Sequence, residues 1–164
     1  MRQSVFGHSF MVKSRVAGIR QSRFKPFNKG VDTMTNKKKL DRDADFEIQF
    51  YEGILQHAPD FIEALIALGD LYTRKGWYSK GLDLDRKLSS LRPEDPFILY
   101  NLACSYSLVN DVSRSLASIK FAIRLGYDHL DYLEKDPDLV NLRQDQRFKD
   151  FFARLRKKRD LQTK

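Results

Sequence analysis

The sequence has little of the residues on which covalent and metal chemistry depend. It contains one cysteine, Cys104, among 164 residues, so an internal disulfide is excluded. The three histidines, His8, His57 and His129, lie far apart, whereas zinc sites usually use Cys or His residues paired at short spacing. A catalytic thiol needs an adjacent base, and neither His57 nor His129 is placed beside Cys104 by the sequence. We therefore predict that the protein is not an enzyme and that it binds no metal or cofactor.

The chain also lacks the long apolar runs that place a protein across a membrane. It has no run of about 18 consecutive apolar residues, which is the length a spanning helix needs. Its first residues lack the apolar stretch of roughly 7–15 residues that marks a secretory signal. Together with the single cysteine, these absences predict a cytoplasmic protein without a membrane span.

Acidic residues are scarce at both ends of the chain. Residues 1–33 carry seven Lys or Arg against one acidic residue, and residues 154–164 carry six against one. Between them, 17 basic residues face 20 acidic ones, so the net charge of +8 belongs to the ends. The high isoelectric point therefore indicates little about the surface of the folded part, and it weakens a general nucleic-acid interpretation.

The N-terminal segment, residues 1–40, is predicted to be a disordered basic arm, and three interpretations of residues 1–33 remain open. The segment is a flexible tail, or it is an over-extended start with translation beginning at Met34. In the third interpretation it resembles an organellar transit peptide, being rich in Arg and Ser and poor in acid. The last interpretation would change the predicted location from cytoplasmic to organellar.

An internal repeat with a period of about 34 residues organises the middle of the chain. Residues that match at this spacing include Leu65 with Leu99, Leu68 with Leu102, Gly69 with Ala103, Tyr72 with Tyr106, Gly81 with Ser115 and Leu91 with Leu125. A self-match at this period is typical of stacked helix–turn–helix units. Neither helix of a unit can bury its apolar face alone, so the units must stack against each other.

Apolar periodicity and helix-breaking residues predict six main helices, at residues 43–57, 61–75, 78–91, 97–109, 112–125 and 145–158. In the first helix the predicted apolar face consists of Phe46, Phe50 and Ile54, flanked by Tyr51 and Leu55. Three aspartates, at 41, 43 and 45, are predicted to cap its start. A short helix is expected after Gly126, followed by a turn at residues 136–139. The last helix is predicted to cap the repeats with Phe148, Phe151, Phe152 and Leu155.

These residues resemble the tetratricopeptide repeat (TPR) family. The first copy carries Leu65, Leu68-Gly69, Tyr72, Gly76, Tyr78 and Pro93; the second carries Leu99, Leu102-Ala103 and Tyr106, with Tyr127 where the final Pro would stand. Asp85 and Leu88 depart from the usual pattern. Residues 136–139 (Asp-Pro-Asp-Leu), with Leu142-Arg143 and Arg147-Phe148, are similar to the end segment of bacterial members. The resemblance implies an all-α TPR-like superhelix over residues 41–158, with two full repeats, a preceding half repeat, C-terminal capping helices and a polar tail at 159–164.

In TPR folds the first helix of each pair lines the concave face, so the resemblance implies a binding groove. Its residues would be Glu63, Ile66, Asp70, Thr73 and Arg74 in one copy and Phe97, Tyr100, Asn101, Cys104, Ser107 and Leu108 in the next. We expect a scaffold that binds a partner peptide or helix there, with Tyr100 and Phe97 as the main anchors. The carboxylate-clamp subtype is not expected, because its Lys and Asn are replaced by Ile66 and Asp70.

Other interpretations of the same residues remain. The groove residues could instead contact the N-terminal tail or the end helix of the same chain. A different class of function, a nucleic-acid- or ribosome-associated factor, would use the basic ends. Self-association is also open, because short repeat arrays with open ends can stack.

Overall fold

The computed structural model describes the backbone of residues 33–162 and the side chains of residues 43–161. This part of the chain is helical and contains no strand, which confirms the all-α prediction there. The elements are α1 Thr33–His57, α2 Ile62–Arg74, α3 Tyr78–Leu91, α4 Pro96–Leu108, α5 Val112–Arg124, α6 Leu130–Lys135, a 3₁₀ turn Pro137–Leu139, α7 Val140–Gln144 and α8 Gln146–Gln162.

The helix pair α4–α5 repeats the helix pair α2–α3. Helices α2 and α4 both have 13 residues, and each is joined to its partner by the same turn. In the first turn the Trp77 amide donates to the Tyr72 carbonyl at 2.8 Å, and in the second Asp111 donates to Tyr106 at 2.8 Å. The repeat read from the sequence is therefore present in the backbone hydrogen bonds.

Both inter-helix turns depend on a residue with a left-handed backbone. Gly76 has φ of 78°, and Asn110, which occupies the same position in the second pair, has φ of 64°. Glycine adopts this conformation without steric cost, and asparagine is among the few other residues that tolerate it. The same position ends α2 and α4, so the sequence difference leaves the geometry of the turn unchanged.

Small residues let the two helices of each pair approach closely. A Cβ atom on Gly81 would lie 3.1 Å from the Thr73 hydroxyl and 3.6 Å from the Gly69 carbonyl oxygen. In the second pair, the Ser115 hydroxyl donates to the Ala103 carbonyl at 2.7 Å. The crossing is tight at Gly81, which accounts for its match with the small Ser115. At Gly69 a Cβ atom would lie 3.7 Å from Asp85 Oδ1, an ordinary contact, so an alanine such as Ala103 fits at this position.

The largest part of the core lies between α4, α5 and the C-terminal elements. Phe148 on α8 is buried in it, and Phe151, Phe152 and Leu155 pack against it. The prediction that this Phe-rich helix covers the second helix pair is confirmed. The helix begins at Gln146 and continues to Gln162, so residues 159–162, which the sequence assigned to a polar tail, are helical.

Helix α1 begins earlier than the sequence analysis predicted. It starts at Thr33 instead of residue 43, and the three aspartates expected to cap it lie inside it. No Gly or Pro occurs between Thr33 and Glu52, so no helix-breaking residue ends the helix there. Residues 33–40, assigned to the N-terminal arm, are therefore helical, whereas the predictions for residues 1–32 lie outside the described part.

The predicted buried face of α1 is wrong at Phe46 and Phe50. Phe46 and Phe50 are 71% and 55% exposed, whereas Ile48 is buried against α2. Ala44, Tyr51 and Leu55 pack beside Ile48 in the same cluster. Helix α1 has two apolar stripes at helical spacing, one with Phe46 and Phe50 and one with Ile48. Contact with α2 buries the stripe that contains Ile48.

Within residues 33–162, no helix is both long enough and apolar enough to cross a membrane.

Candidate partner-binding surface

The predicted groove residues divide into an open set and a buried set. On α2, Glu63 and Arg74 are exposed, and Ile66 and Asp70 are partly exposed. On α4, Phe97 at the start of the helix and Leu108 at its end are partly exposed. The buried set contains Thr73 on α2 and Tyr100, Asn101, Cys104 and Ser107 on α4.

Thr73 faces the crossing of α2 and α3 instead of a groove. It is 2% exposed, and its hydroxyl donates to the Gly69 carbonyl at 2.9 Å. Because Gly81 of α3 lies directly against this hydroxyl, Thr73 contributes to helix packing and not to a surface.

Tyr100 is covered by the segment that follows α5. Its ring stacks on Tyr127 with centroids 4.5 Å apart and planes 9° apart, leaving 1% of the residue exposed. The Tyr100 hydroxyl donates to Asp136 Oδ2 at 2.7 Å. Burial raises the pKa of this hydroxyl, and nearby Cys104 and Asp136 raise it further, so it remains a neutral donor.

The side of α2 or α4 that carries its predicted groove residues is called its inner face below. The rest of the inner face of α4 is covered in the same way. Cys104 Sγ lies 3.9 Å from Asp136 Oδ2. The Ser107 carbonyl accepts a 2.8 Å hydrogen bond from the Asn141 side chain, and its hydroxyl accepts one of 3.3 Å from the Leu142 amide. The assignment of Tyr100, Cys104 and Ser107 to an open groove therefore needs correction, because the 3₁₀ turn and α7 occupy that space.

The Asp-Pro-Asp-Leu motif holds the covering segment in place. The carboxylate of Asp136 accepts from the Asp138 amide at 2.9 Å, and its carbonyl accepts from the Arg143 guanidinium. Leu139 and Leu142 are fully buried beneath it. The sequence contained the motif, but its contact with Tyr100 joins residues 36 positions apart, and local patterns do not predict such a contact.

The inner face of α2 has no comparable cover among the described residues. Arg74 Nε lies 3.1 Å from Asp70 Oδ2, and Arg74 Nη2 lies 3.7 Å from a Glu47 carboxylate oxygen. The second carboxylate oxygen, Asp70 Oδ1, is buried and has no hydrogen-bond partner in the described part of the chain. Buried acceptors are nearly always paired, so this oxygen is an exception on the inner face of α2.

An aromatic cluster borders the buried set, and sequence reasoning missed it. The Phe97 ring centroid lies 5.7 Å from that of Tyr127 and 5.9 Å from that of His129. His129 in turn lies 6.0 Å from Tyr132. The His129 side chain is 48% exposed, so the cluster has an accessible edge beside the start of α4.

A pocket of about 320 Å³ lies between α5, α6 and α8 and was also missed. It combines aliphatic walls with two cations and is lined by Ile123, Tyr127, Asp128, Leu130, Leu155, Lys158 and Arg159. Burial raises the pKa of the Tyr127 hydroxyl, so this wall of the pocket carries no charge. Among the side chains of residues 43–161, no three His, Cys, Asp or Glu residues are placed to hold a metal ion.

Over residues 33–162 the geometry defines an all-helical fold built on a duplicated helix pair. In this fold the inner face of α4 is covered and that of α2 is open. No family model matches the chain. Over 80 residues it is 30% identical to a chloroplastic protein of Arabidopsis thaliana. That stretch covers 47% of this chain and 24% of the plant protein, so the match spans about a quarter of the relative's length.

Proposed function

We propose that the protein is a TPR-type repeat scaffold without catalytic activity, which binds a segment of a partner protein on the inner face of α2. The observation that carries this proposal is the recurrence of helix bounds and turn hydrogen bonds at the same spacing in both helix pairs. A helix–turn–helix unit of about 34 residues is the TPR signature, and solenoids of such units present concave binding surfaces.

The chemistry of the open face matches a peptide ligand. Ile66 offers a partly exposed apolar contact, and the Asp70–Arg74 ion pair, 3.1 Å long, offers polar groups beside it. Glu63 and Arg74, at either end of the face, supply one charge of each sign. A short extended or helical segment with a central apolar residue and flanking charged groups would complement this face.

Tyr100 has a different role in this proposal from the one expected of a groove anchor. It fixes the segment that closes the inner face of α4, and so limits the binding surface to α2 and the aromatic edge at Phe97 and His129. The contribution of Phe97 to partner binding remains a prediction.

A peptide library selected against the full chain tests the proposal. The near-isosteric Asp70→Asn removes the acceptor charge, and Asp83→Asn, on the exposed side of α3, serves as the matched control. We expect selected peptides to bind the wild type and the control equally, and Asp70→Asn roughly tenfold or more weakly. Failure to select any specific peptide, or equal binding by Asp70→Asn, would overturn the proposal.

A second candidate, binding to a nucleic-acid backbone, is favoured by one observation. Helix α5 brings Lys120 within 5.5 Å of the Phe151 ring, so a cation of α5 lies beside α8. Arg154, Lys157 and Lys158 are exposed on α8. Binding that falls steeply as salt increases would support this candidate, whereas peptide binding on α2, which involves fewer charges, should fall much less.

The cellular location of the protein is a separate question, and experiment must decide it. The relative's name describes it as chloroplastic, which adds weight to the organellar alternative for this chain. A fluorescent protein fused after residue 33 of this chain distinguishes the two. Import into an organelle would replace the cytoplasmic prediction, and diffuse fluorescence would retain it.

A further inference from the structure

Helix α1 carries an exposed apolar face that is bordered by carboxylates. Because successive residues of a helix are about 100° apart, Asp43, Glu47, Phe50 and Ile54 lie within about 60° of one another, and we call this side the outer face of α1. Phe50 is 55% exposed, Ile54 is partly exposed, and both carboxylates are exposed. Phe46, which is 71% exposed, lies at its edge. Adjacent exposed apolar side chains of this size mark a binding surface.

The repeat shows which neighbour the outer face lacks. When the chain is aligned on its repeat, Phe50 matches Leu84 of α3 and Ile54 matches Leu88. Leu84 and Leu88 pack with residues of α2, the helix that precedes α3, and Leu88 is 1% exposed. The described part of the chain begins with α1, so Phe50 and Ile54 have no preceding helix there. The repeat therefore indicates that the cover of the outer face comes from residues 1–32.

The charge of the helix fits a basic cover. Residues 43–57 contain four acidic residues and no Lys or Arg, whereas residues 1–32 contain seven Lys or Arg against one acidic residue. Glu47 lies 3.7 Å from Arg74 of α2, yet its side chain is still 52% exposed and can be reached by a second cation. Opposite charges on the two segments favour their contact, and this attraction weakens as salt increases.

The sequence before α1 contains an apolar stripe with cations beside it. Val12, Val16 and Ile19 stand at i, i+4 and i+7, which is the spacing of one helix face. At the same spacing, Lys13 and Arg20 fall together on one flank of that stripe. This pattern complements the outer face of α1, where two apolar residues lie beside two carboxylates.

The chain is long enough for these residues to reach the outer face. Phe50 lies about 25 Å along α1 from its start at Thr33, at a rise of about 1.5 Å per residue. Residues 21–32 span up to about 40 Å when extended. Pro26 and Gly30 in this stretch suit a reversal of the chain direction. Residues 12–20 can therefore lie alongside α1 and run antiparallel to it.

We propose that residues 12–20 cover the outer face of α1 in the same chain. Val12, Val16 and Ile19 contact Phe50 and Ile54, and the flanking cations lie beside the two carboxylates. This contact gives α1 the preceding partner that α2 provides for α3. It does not involve the inner face of α2, so it does not rest on the partner binding proposed there.

Paramagnetic broadening in the full chain tests the proposal. A nitroxide is attached through Ser14→Cys, which at helical spacing lies on the side away from the apolar stripe. Native Cys104 is 1% exposed and takes up little label. We expect the strongest loss of amide signal at residues 43–54. Isotope-enriched chains without nitroxide, mixed with labelled chains that are not enriched, should show no such loss if the contact forms within one chain.

Two pairs of substitutions separate the apolar and the electrostatic parts of the contact. Val16→Asp should reduce the broadening several-fold, because it places a charge in the apolar stripe, whereas Val31→Asp, outside the covering residues, should leave it unchanged. Asp43→Lys should also reduce it, and Asp83→Lys, on the exposed side of α3, serves as the matched control. The broadening should weaken as salt increases. Circular dichroism checks that every variant is as helical as the wild type.

Three results would overturn the proposal. Broadening centred on Glu63, Ile66 and Asp70 would show that the segment lies on the inner face of α2 instead. Signal loss in the mixed sample would assign the outer face to a second copy of the chain. Equal broadening with Val16→Asp and Val31→Asp would show that the apolar stripe makes no specific contact.

Discussion

The hydroxyl of Tyr100 donates a 2.7 Å hydrogen bond to the carboxylate of Asp136, which lies 36 residues later in the chain. This contact fixes the C-terminal segment across the inner face of α4. It makes the two helix pairs unequal, because the equivalent face of α2 has no such cover among the described residues. The open face, with Ile66 and the Asp70–Arg74 ion pair, is therefore where we propose partner binding.

Tyr100→Phe should destabilise the protein by about 1–3 kcal/mol, because it removes a buried donor and leaves Asp136 with one partner fewer. Urea unfolding followed by circular dichroism measures the change. Tyr78→Phe is the control, since Tyr78 is 39% exposed and should change the free energy of unfolding by little. Equal effects of the two substitutions would contradict the role given to the Tyr100 hydroxyl.

Ser105→Ala should also lower the free energy of unfolding, by about 1–3 kcal/mol. Ser105 on α4 donates a hydrogen bond to Asp85 on α3, and both residues are almost fully buried. Loss of this donor leaves a buried carboxylate with fewer hydrogen bonds. Ser118→Ala, at a partly exposed position of α5, provides the comparison, and a Ser105→Ala variant as stable as it would contradict the prediction.

Two glycine substitutions should have opposite effects on folding. Gly53→Ala should stabilise the chain by about 0.5–1 kcal/mol, because alanine favours the helix and the space is empty. Gly81→Ala should destabilise it by about 1 kcal/mol, because the new methyl group presses on the hydrogen-bonded Thr73 hydroxyl. Thermal and urea unfolding measure both, and effects of the same sign would show that the helix crossing is looser than described.

The ion pair at the start of α8 should make stability depend on acid pH. Hydrogen bonding from the Arg147 side chain lowers the pKa of Asp145 from 3.8 to about 2. The folded form thus favours the charged carboxylate, so its stabilisation is present above pH 3.8 and is lost as the pH falls towards about 2. Asp145→Asn should be less stable than the wild type at neutral pH, and this difference should shrink near pH 2.

The choice of asparagine isolates the charge in that experiment. Asparagine can still accept from the Arg147 amide, a hydrogen bond of 2.8 Å in the wild type, so the helix cap is retained. Asp83→Asn controls for the general effect of removing an exposed carboxylate. A stability difference that does not change between neutral and acid pH would rule out the ion pair as its cause.

The helices of the repeat could be predicted from sequence because their signals are local. Gly76 and Gly126 end α2 and α5, Pro93 follows α3, and Pro96 opens α4. The predicted bounds of these four helices agree with the structure to within one residue. The Phe-rich cover at the C-terminus was also predictable, because Phe148 and its neighbours recur at helical spacing.

The parts that sequence did not predict depend on long-range packing. In α1, a phenylalanine stripe competes with one that contains Ile48, and only contact with α2 decides which is buried. Likewise, Tyr100 has the size and position expected of a groove anchor, and only the path of the chain after Tyr127 shows that its ring is covered. The structure, and not the sequence pattern, therefore distinguishes the open inner face of α2 around Asp70 from the covered face of α4.

Chemical-shift mapping by NMR of a peptide selected against the full chain tests partner binding on α2 most directly. We expect the largest shifts at Glu63, Ile66, Asp70 and Arg74, while the amides of Tyr100, Cys104 and Ser107 stay unchanged. Shifts centred on Tyr100 and Cys104 would instead show that the covering segment moves aside and that the inner face of α4 is the binding surface.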